Sequence, residues 1–282
     1  MLTTLMALAV LSAPLAQETD TVVAVNPEAR LDVSAMGGEV TIRTWDRNEM
    51  RVVADHSSRE RVEIHVSDRV VKVRTKRERG VSHSVDYEIT IPATMDVEVS
   101  GTFLEVDIEG VRGEVSAHTV QGELRLVGGA GFVTLHSTQG EVVCEGVRGR
   151  LEVGSVNGSL RLRDIEGDIV GETVNGSVIM EDVRSGDVEV VTMNGEILYD
   201  GTIESTGRYA FSNHNGDLTV MLPAGTDANV SVSTFSGDFN ADFPVTLTET
   251  RSGGKRISFV LGDGGARIEL ESFAGTIRLR RP

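Results

Sequence analysis

A four-residue turn that returns every 18 residues constrains this chain more than any other feature. The signature T/S-x-N/Q-G occupies residues 119–122, 137–140, 155–158, 173–176 and 192–195, and Gly122, Gly140, Gly158 and Gly176 keep the 18-residue spacing. A second glycine series, Gly113, Gly131, Gly149 and Gly167, falls midway and carries turns such as G-V-R-G and D-I-E-G. The unit is a nonapeptide used in pairs, G-x-h-x-h-x-[T/S/G/D]-h-x, where h is apolar. Its third, fifth and eighth places hold Val115, Ala117, Val120; Leu151, Val153, Val156; Leu160, Leu162, Ile165; and Val178, Met180, Val183. Alternation of period two over five residues specifies a half-buried strand, and glycine punctuates the turn. Asn before Gly readily takes positive φ, and the Ser or Thr hydroxyl can bond the turn backbone.

Hairpins use the same dipeptides, but a turn of one kind returning at a fixed interval favours a coil stacked on a coil. The expected fold is all-β: a two-sheet parallel β-solenoid with 18-residue coils about 4.8 Å apart, preceded by a less regular β-rich layer. Gln121, Gln139, Asn157, Asn175 and Asn194 would then stack as an amide ladder along one edge, a structural role that needs no ligand.

Low aromatic content (4%), 31 glycines and no linker-like stretch among 282 residues fit one elongated domain. Residues 1–16 read as a secretory leader, 17–112 as the β-rich first layer, 113–206 as the regular stack and 207–282 as variant coils of the same domain. The leader has an apolar run from Leu5 to Leu15, a small Ala16 and a polar Gln17, although it lacks Lys or Arg at its start and has Pro14 near the expected cut. That run is too short to span a membrane. The expected location is extracytoplasmic, either periplasmic or secreted to the medium or cell surface, with a chain that is soluble once the leader is cleaved.

The only cysteine, Cys144, leaves no internal disulfide and stands where the repeat places Leu126, Val153 or Leu162, so it reads as a small core residue. The beat loosens after Gly186, where Ser185 is an extra residue. Before the stack, "RVEIHVSDRVVKVRTK" resembles a hairpin around Ser67 and Asp68, and "IPATMDVEVSGTF" from Ile91 is echoed by "LPAGTDANVSVSTF" from Leu222.

Chemistry is harder to find. A calcium-binding nonapeptide needs a glycine pair and an aspartate in each turn; Asp164 and Asp182 recur once, but Ser137, Gly146 and Ser155 hold that place elsewhere. A hexapeptide helix would group its apolar residues in sixes, not nines. Polysaccharide-cleaving β-helices need convergent carboxylates. The outward files here mix Glu114, Phe132, Arg150 and Asp168, or Arg125, Val143, Arg161 and Ile179, as solvated faces do. His118 and His136 fall one coil apart, too few ligands for a typical zinc site and better read as an exposed polar pair. There is no phosphate loop or nucleophile elbow. No catalytic, cofactor or metal residue is expected, and no nucleic-acid partner.

Charge is unevenly spread. Residues 51–79 hold nine basic and five acidic residues, a balance of +4 against −20 for the rest. The strand-like "RVVKVRTK" places Lys72, Arg74 and Lys76 on one face, where they could protect a sheet edge or dock an anionic envelope polymer or lipid headgroups.

The segments "GGEVTIRTWDRNEMRV" and "YEITIPATMDVEVSGTFLEVDIEGVRGEVSAHTVQGEL", with the repeated T-x-N-G-x-h, resemble the bacterial exported β-strand-repeat family of adhesin-like proteins, a domain of unknown function. The likeness runs from about Val22 to the C-terminus. It implies an exported, envelope-associated protein with no established catalytic residues: a non-enzymatic, adhesin-like binding or structural module. The alternative is a β-helix carbohydrate-active enzyme acting on envelope or extracellular polysaccharide.

Overall fold

In the computed structural model, residues 16–77, 84–245, 249–250 and 255–282 are described. Apart from Ala16, the expected leader lies outside them, as do Glu78 and Arg79 of the basic segment. The alternating pattern becomes strand throughout. The first layer holds β1 (Ala16–Ala24), β2 (Arg30–Trp45), β3 (Glu49–Ser57), β4 (Glu60–Val66), β5 (Val70–Arg77), β6 (Asp86–Pro92) and β7 (Asp96–Glu109). Paired strands follow, one pair per coil: β8 and β9 (Val115–Gln121, Leu124–Val127), β10 and β11 (Ala130–Gln139, Val142–Glu145), β12 and β13 (Arg148–Asn157, Leu160–Arg163). The next coils are β14 and β15 (Ile169–Asn175, Val178–Val183), β16 and β17 (Asp187–Asn194, Ile197–Gly201), and β18 and β19 (Arg208–Asn215, Leu218–Met221). The chain closes with β20 (Ala228–Thr234), β21 (Phe239–Ala241), β22 (Glu249–Thr250), β23 (Lys255–Leu261), β24 (Ala266–Ala274) and β25 (Ile277–Arg280).

These strands build a two-sheet parallel β-solenoid. Sheet one stacks β7, β8, β10, β12, β14, β16 and β18, and sheet two stacks β7, β9, β11, β13, β15, β17 and β19, all parallel. The long strands β2 and β7 each serve both sheets and pair with one another along most of their length. Val97, Val115, Val133, Leu151 and Ile169 are aligned partners, so the 18-residue register reaches back to β7, one coil before Gly113. Antiparallel pairs occur at the two ends: β1 with β3, β3 with β6 and β4 with β5 at one, β20 with β23 and β22 with β23 at the other. The β4–β5 pair is the hairpin expected around Ser67 and Asp68, with Val66 opposite Val71.

At both ends the stacking order departs from chain order, which the sequence reading did not anticipate. From β6 the chain crosses over β2 to reach β7, and from the β18–β19 coil it crosses over the β24–β25 coil to reach β20 and β21. The two echoed segments are these crossings. Thr94 Oγ1 donates to Pro27 O at 2.8 Å, and Ala266 N donates to Asp227 O at 3.2 Å, so each crossing is tied to the turn that opens the coil it passes. A single-coil repeat cannot encode a partner supplied from far along the chain.

The core lies between the sheets. Leu126, Cys144, Leu162 and Met180 form one column, and burial pushes the Cys144 thiol pKa up. Coils lengthen where large side chains must fit: Ile169 to Val188 takes 19 residues and Val188 to Tyr209 takes 21. Ser185, the extra residue, is buried and closes its own turn by donating to Asp187 O at 2.9 Å. Tyr199, Tyr209 and Phe211 fill the widened end, and Tyr209 donates to Ser185 O at 2.6 Å.

Two expectations about the turns are corrected. The eighth place is not uniformly inward: Ile165 and Val183 are buried, whereas Val120 and Val156 are 49% and 41% exposed. In the T-x-N-G turns the strand alternation continues one pair further, which turns Thr119 and Ser155 inward and the following valine outward. In the other turns the seventh-place residues Gly128, Gly146, Asp164 and Asp182 take positive φ and break the alternation. The asparagines before glycine do not take positive φ; among described non-glycine residues only those two aspartates do. The glycine in T-x-N-G is required by close approach, because a Cβ on Gly140 or Gly158 would overlap the carbonyl oxygen of the glycine one coil earlier.

Candidate functional face

The outward side of sheet one carries the features that the fold does not consume. Along the T-x-N-G edge, most of the buried hydroxyls form a ladder between coils: Ser137 Oγ donates to Gly122 O, Ser155 Oγ to Gly140 O and Thr173 Oγ1 to Gly158 O, at 2.9–3.0 Å, while Thr119 Oγ1 donates within its own turn to Gln121 O at 3.2 Å. Outside them runs the amide ladder. Asn175 Nδ2 donates to Asn157 Oδ1 at 2.8 Å and Asn194 Nδ2 to Asn175 Oδ1 at 2.9 Å. Gln121 and Gln139 share the register, but no side-chain amide bond joins them. The ladder extends instead to Asn215, which donates to Asn194 at 2.9 Å. Its N-G dipeptide was a legible signal, masked because Asn213 replaces the Ser or Thr of the turn.

Beside this ladder lies a groove of 650 Å³ running across the strands. Val120, Thr138, Val156, Val174 and Met193 form one lining file, and His118, His136, Gly154, Glu172 and Val191 the other. Gly154 makes room for the neighbouring imidazole: a Cβ there would lie 2.5 Å from His136 Nδ1. The His118 and His136 rings are stacked, with centroids 5.5 Å apart and planes within 2°. Partial burial, helped by the neighbouring His118, holds the His136 imidazole pKa below its ordinary range, against the pull of Glu152 and Glu172. A second hollow of 320 Å³ continues the groove past Met193. Phe235 stacks on Phe273 at 4.8 Å, and Phe273 on His214 at 4.5 Å.

Glycoside hydrolysis uses two carboxyl groups separated by about 5–10 Å; Glu172 is the single carboxylate lining this groove, and a separate hollow of 680 Å³ is lined by Glu39, Asp86, Glu105, Glu123 and Glu141. Among the described residues, no group of three or more His, Cys, Asp or Glu side chains could hold a metal ion. Asp164, which would have been a calcium ligand in a toxin-type repeat, is held instead by Arg148 at 2.9 Å and Arg184 at 3.7 Å.

The basic row lies at the N-terminal end of the same face. Lys72 and Arg74 share one carboxylate, Asp32, at 4.0 and 3.5 Å, and Lys76 pairs with Glu63 at 3.0 Å. Arg61 stands opposite Lys76 and His65 opposite Lys72 on β4. All three cations of the row are about half exposed or more, and two of them depend on a single acid.

No curated protein matches the chain. Among solved structures, it is similar to a "putative adhesin" from Bacteroides fragilis (10% identity, 93% of this chain and 97% of the other, TM-score 0.44). A "putative adhesin" from Parabacteroides merdae is also similar (11% identity, 93% and 96%, TM-score 0.43), as is a "putative cell adhesion protein" from Clostridium sporogenes (11%, 94% and 100%, TM-score 0.27). The model of the Toastrack family, DUF4097, matches residues 29–280, nearly the whole described solenoid, and the chain belongs to that family.

Proposed function

We propose that the chain is a non-enzymatic, exported module of the bacterial envelope that docks by its basic N-terminal end on an anionic envelope polymer or anionic lipid headgroups. The observation that carries this reading is the row Lys72, Arg74 and Lys76 on the open face of the β4–β5 hairpin, at the tip of a chain whose net charge is −16. Within residues 59–77, seven basic residues face three acidic ones. A field so divided along a rod orients it end-on against a negative surface. The leader-like residues 1–16 support export, and no helix among the described residues is long and apolar enough to cross a membrane.

The test is a triple reversal, Lys72→Glu, Arg74→Glu and Lys76→Glu, assayed on anionic vesicles and on purified anionic envelope glycopolymer as separate arms. Binding should be lost in the arm that contains the true ligand, with strand content and melting unchanged. Retained binding by the reversed protein would remove the reading. The carbohydrate-active alternative needs a pair of carboxyl groups; the groove beside the amide ladder offers one, and a separate hollow of 680 Å³, lined by Glu39, Asp86, Glu105, Glu123 and Glu141, is where that reading would be tested.

A further inference from the structure

The outer face of sheet one differs from that of sheet two. On sheet two the outward file mixes ion pairs, as Arg125 with Asp107 at 3.1 Å, with Val143, Ile179 and Leu198, which are half-buried. On sheet one the file from Met36 to Phe273 holds six exposed apolar residues, Met36, Val120, Val156, Val174, Met193 and Phe273, each 40–49% exposed, with Thr102, Thr138 and His214 between them. Apolar exposure gathered on one face marks a surface that meets something.

We propose that this face is the interface of an antiparallel two-fold dimer of the chain, with the axis passing over Gly154 and Val156. The argument is self-complementarity. A two-fold axis lying along strand β12 reverses the stacking direction and returns each file onto itself. It sets Val156 against the partner copy's equivalent valine and Val120 against the position of Met193. In the neighbouring file, His136 and Glu172 lie one coil to either side of Gly154. The axis therefore places each His136 opposite a Glu172 position of the other copy, twice, on either side of Gly154. Acidic residues that would approach one another have basic side chains of their own copy beside them: Asp32 has Lys72 and Arg74, Glu269 has Arg267, and Glu152, which lies on the axis and faces its own counterpart, has His136 at 3.9 Å.

The size of the face agrees. Four strands lie on each side of β12 before the match ends, at β2 and β24. Nine strands at about 4.8 Å and five residues at about 3.3 Å give roughly 700 Å² per copy, or about 1,400 Å² in total, within the 1,200–2,000 Å² of stable specific interfaces. The β4–β5 hairpin lies outside this patch, so the pairing is independent of the docking reading above.

Sedimentation velocity on the full chain tests the proposal. The wild-type protein should be dimeric in the micromolar range, and Val156→Asp, which places two carboxylates at the axis without touching the core, should weaken association at least about tenfold. His136→Glu should weaken it as well, and the double exchange His136→Glu with Glu172→His should restore it. As a geometric check, Val156→Cys should form a disulfide-linked dimer readily, and Val260→Cys, 57% exposed but beyond the patch, should not. A wild-type monomer at about 100 μM, above the micromolar limit of interfaces this large, would overturn the proposal. So would unchanged association of Val156→Asp, failure of the double exchange to restore what the single one loses, or equal cross-linking at residues 156 and 260.

Discussion

Replacing Thr173 by Val separates the two ladders that hold the coils together. Thr173 is buried at 4% exposure, and its hydroxyl donates to Gly158 O at 2.9 Å. Valine keeps the shape and removes the donor from the carbonyl of the half-buried Gly158; losing a buried partner costs about 1–3 kcal/mol, reduced here by that partial exposure and by the extra buried methyl. A net loss of about 1–2 kcal/mol is expected. Asn175 makes two amide bonds, to Asn157 and from Asn194, but in an exposed position. Water replaces those bonds in Asn175→Ala, so its cost should be about 0.5–1 kcal/mol despite the larger number of contacts. Urea unfolding followed by far-ultraviolet dichroism measures both, with Thr173→Ser as the control that keeps the hydroxyl and should stay near wild type. An Asn175→Ala variant as destabilised as Thr173→Val, or a Thr173→Ser variant no better than the valine, would refute the assignment of the coil-to-coil bond to the buried hydroxyl.

Leu162→Asp places a carboxylate between Cys144 and Met180 in the closed core and should destabilise by several kcal/mol, seen as loss of cooperative melting. Chelator should leave dichroism and melting temperature unchanged, because the turn aspartate Asp164 is paired with arginines; a chelator-induced loss of strand signal would contradict that. All three tyrosines, Tyr87, Tyr199 and Tyr209, have phenol pKa values raised chiefly by burial. Their raised folded values mean that this contribution to stability is full below the unfolded value of about 10 and is lost as pH rises above it. Phenolate absorbance should accordingly appear together with unfolding, and ionisation of all three near pH 10 in an intact fold would refute the packing described.

Much of this architecture was legible because stacked coils repeat the same local problem. The glycines, the period, Cys144 as a core residue and the Asn157–Asn175–Asn194 ladder each follow from one coil copying another. Val120 and Val156 were misplaced inward because a nonapeptide template treats two unlike turns as one. Following the alternation from Val115 through Thr119 would have turned them outward and revealed the groove. Asp164 and Asp182 looked interchangeable with Ser137 in the template, yet only the aspartates and their glycine counterparts meet a positive φ. The insertion of β24 between β18 and β20 had no such local signal. It depends on a pairing across 59 residues, Tyr209 with Ile268, and only the echo at Ile91 and Leu222 hinted that the two ends solve the same crossing.

The docking reading is tested most directly by the salt dependence of wild-type binding to anionic vesicles and to anionic envelope glycopolymer. Raising salt from 0.1 M to 1 M shortens the screening length from about 10 Å to about 3 Å. Binding through Lys72, Arg74 and Lys76 should fall steeply over that range on the true ligand and be weak on neutral vesicles throughout. Retention at 1 M salt equal to that at 0.1 M would contradict electrostatic docking by the N-terminal end.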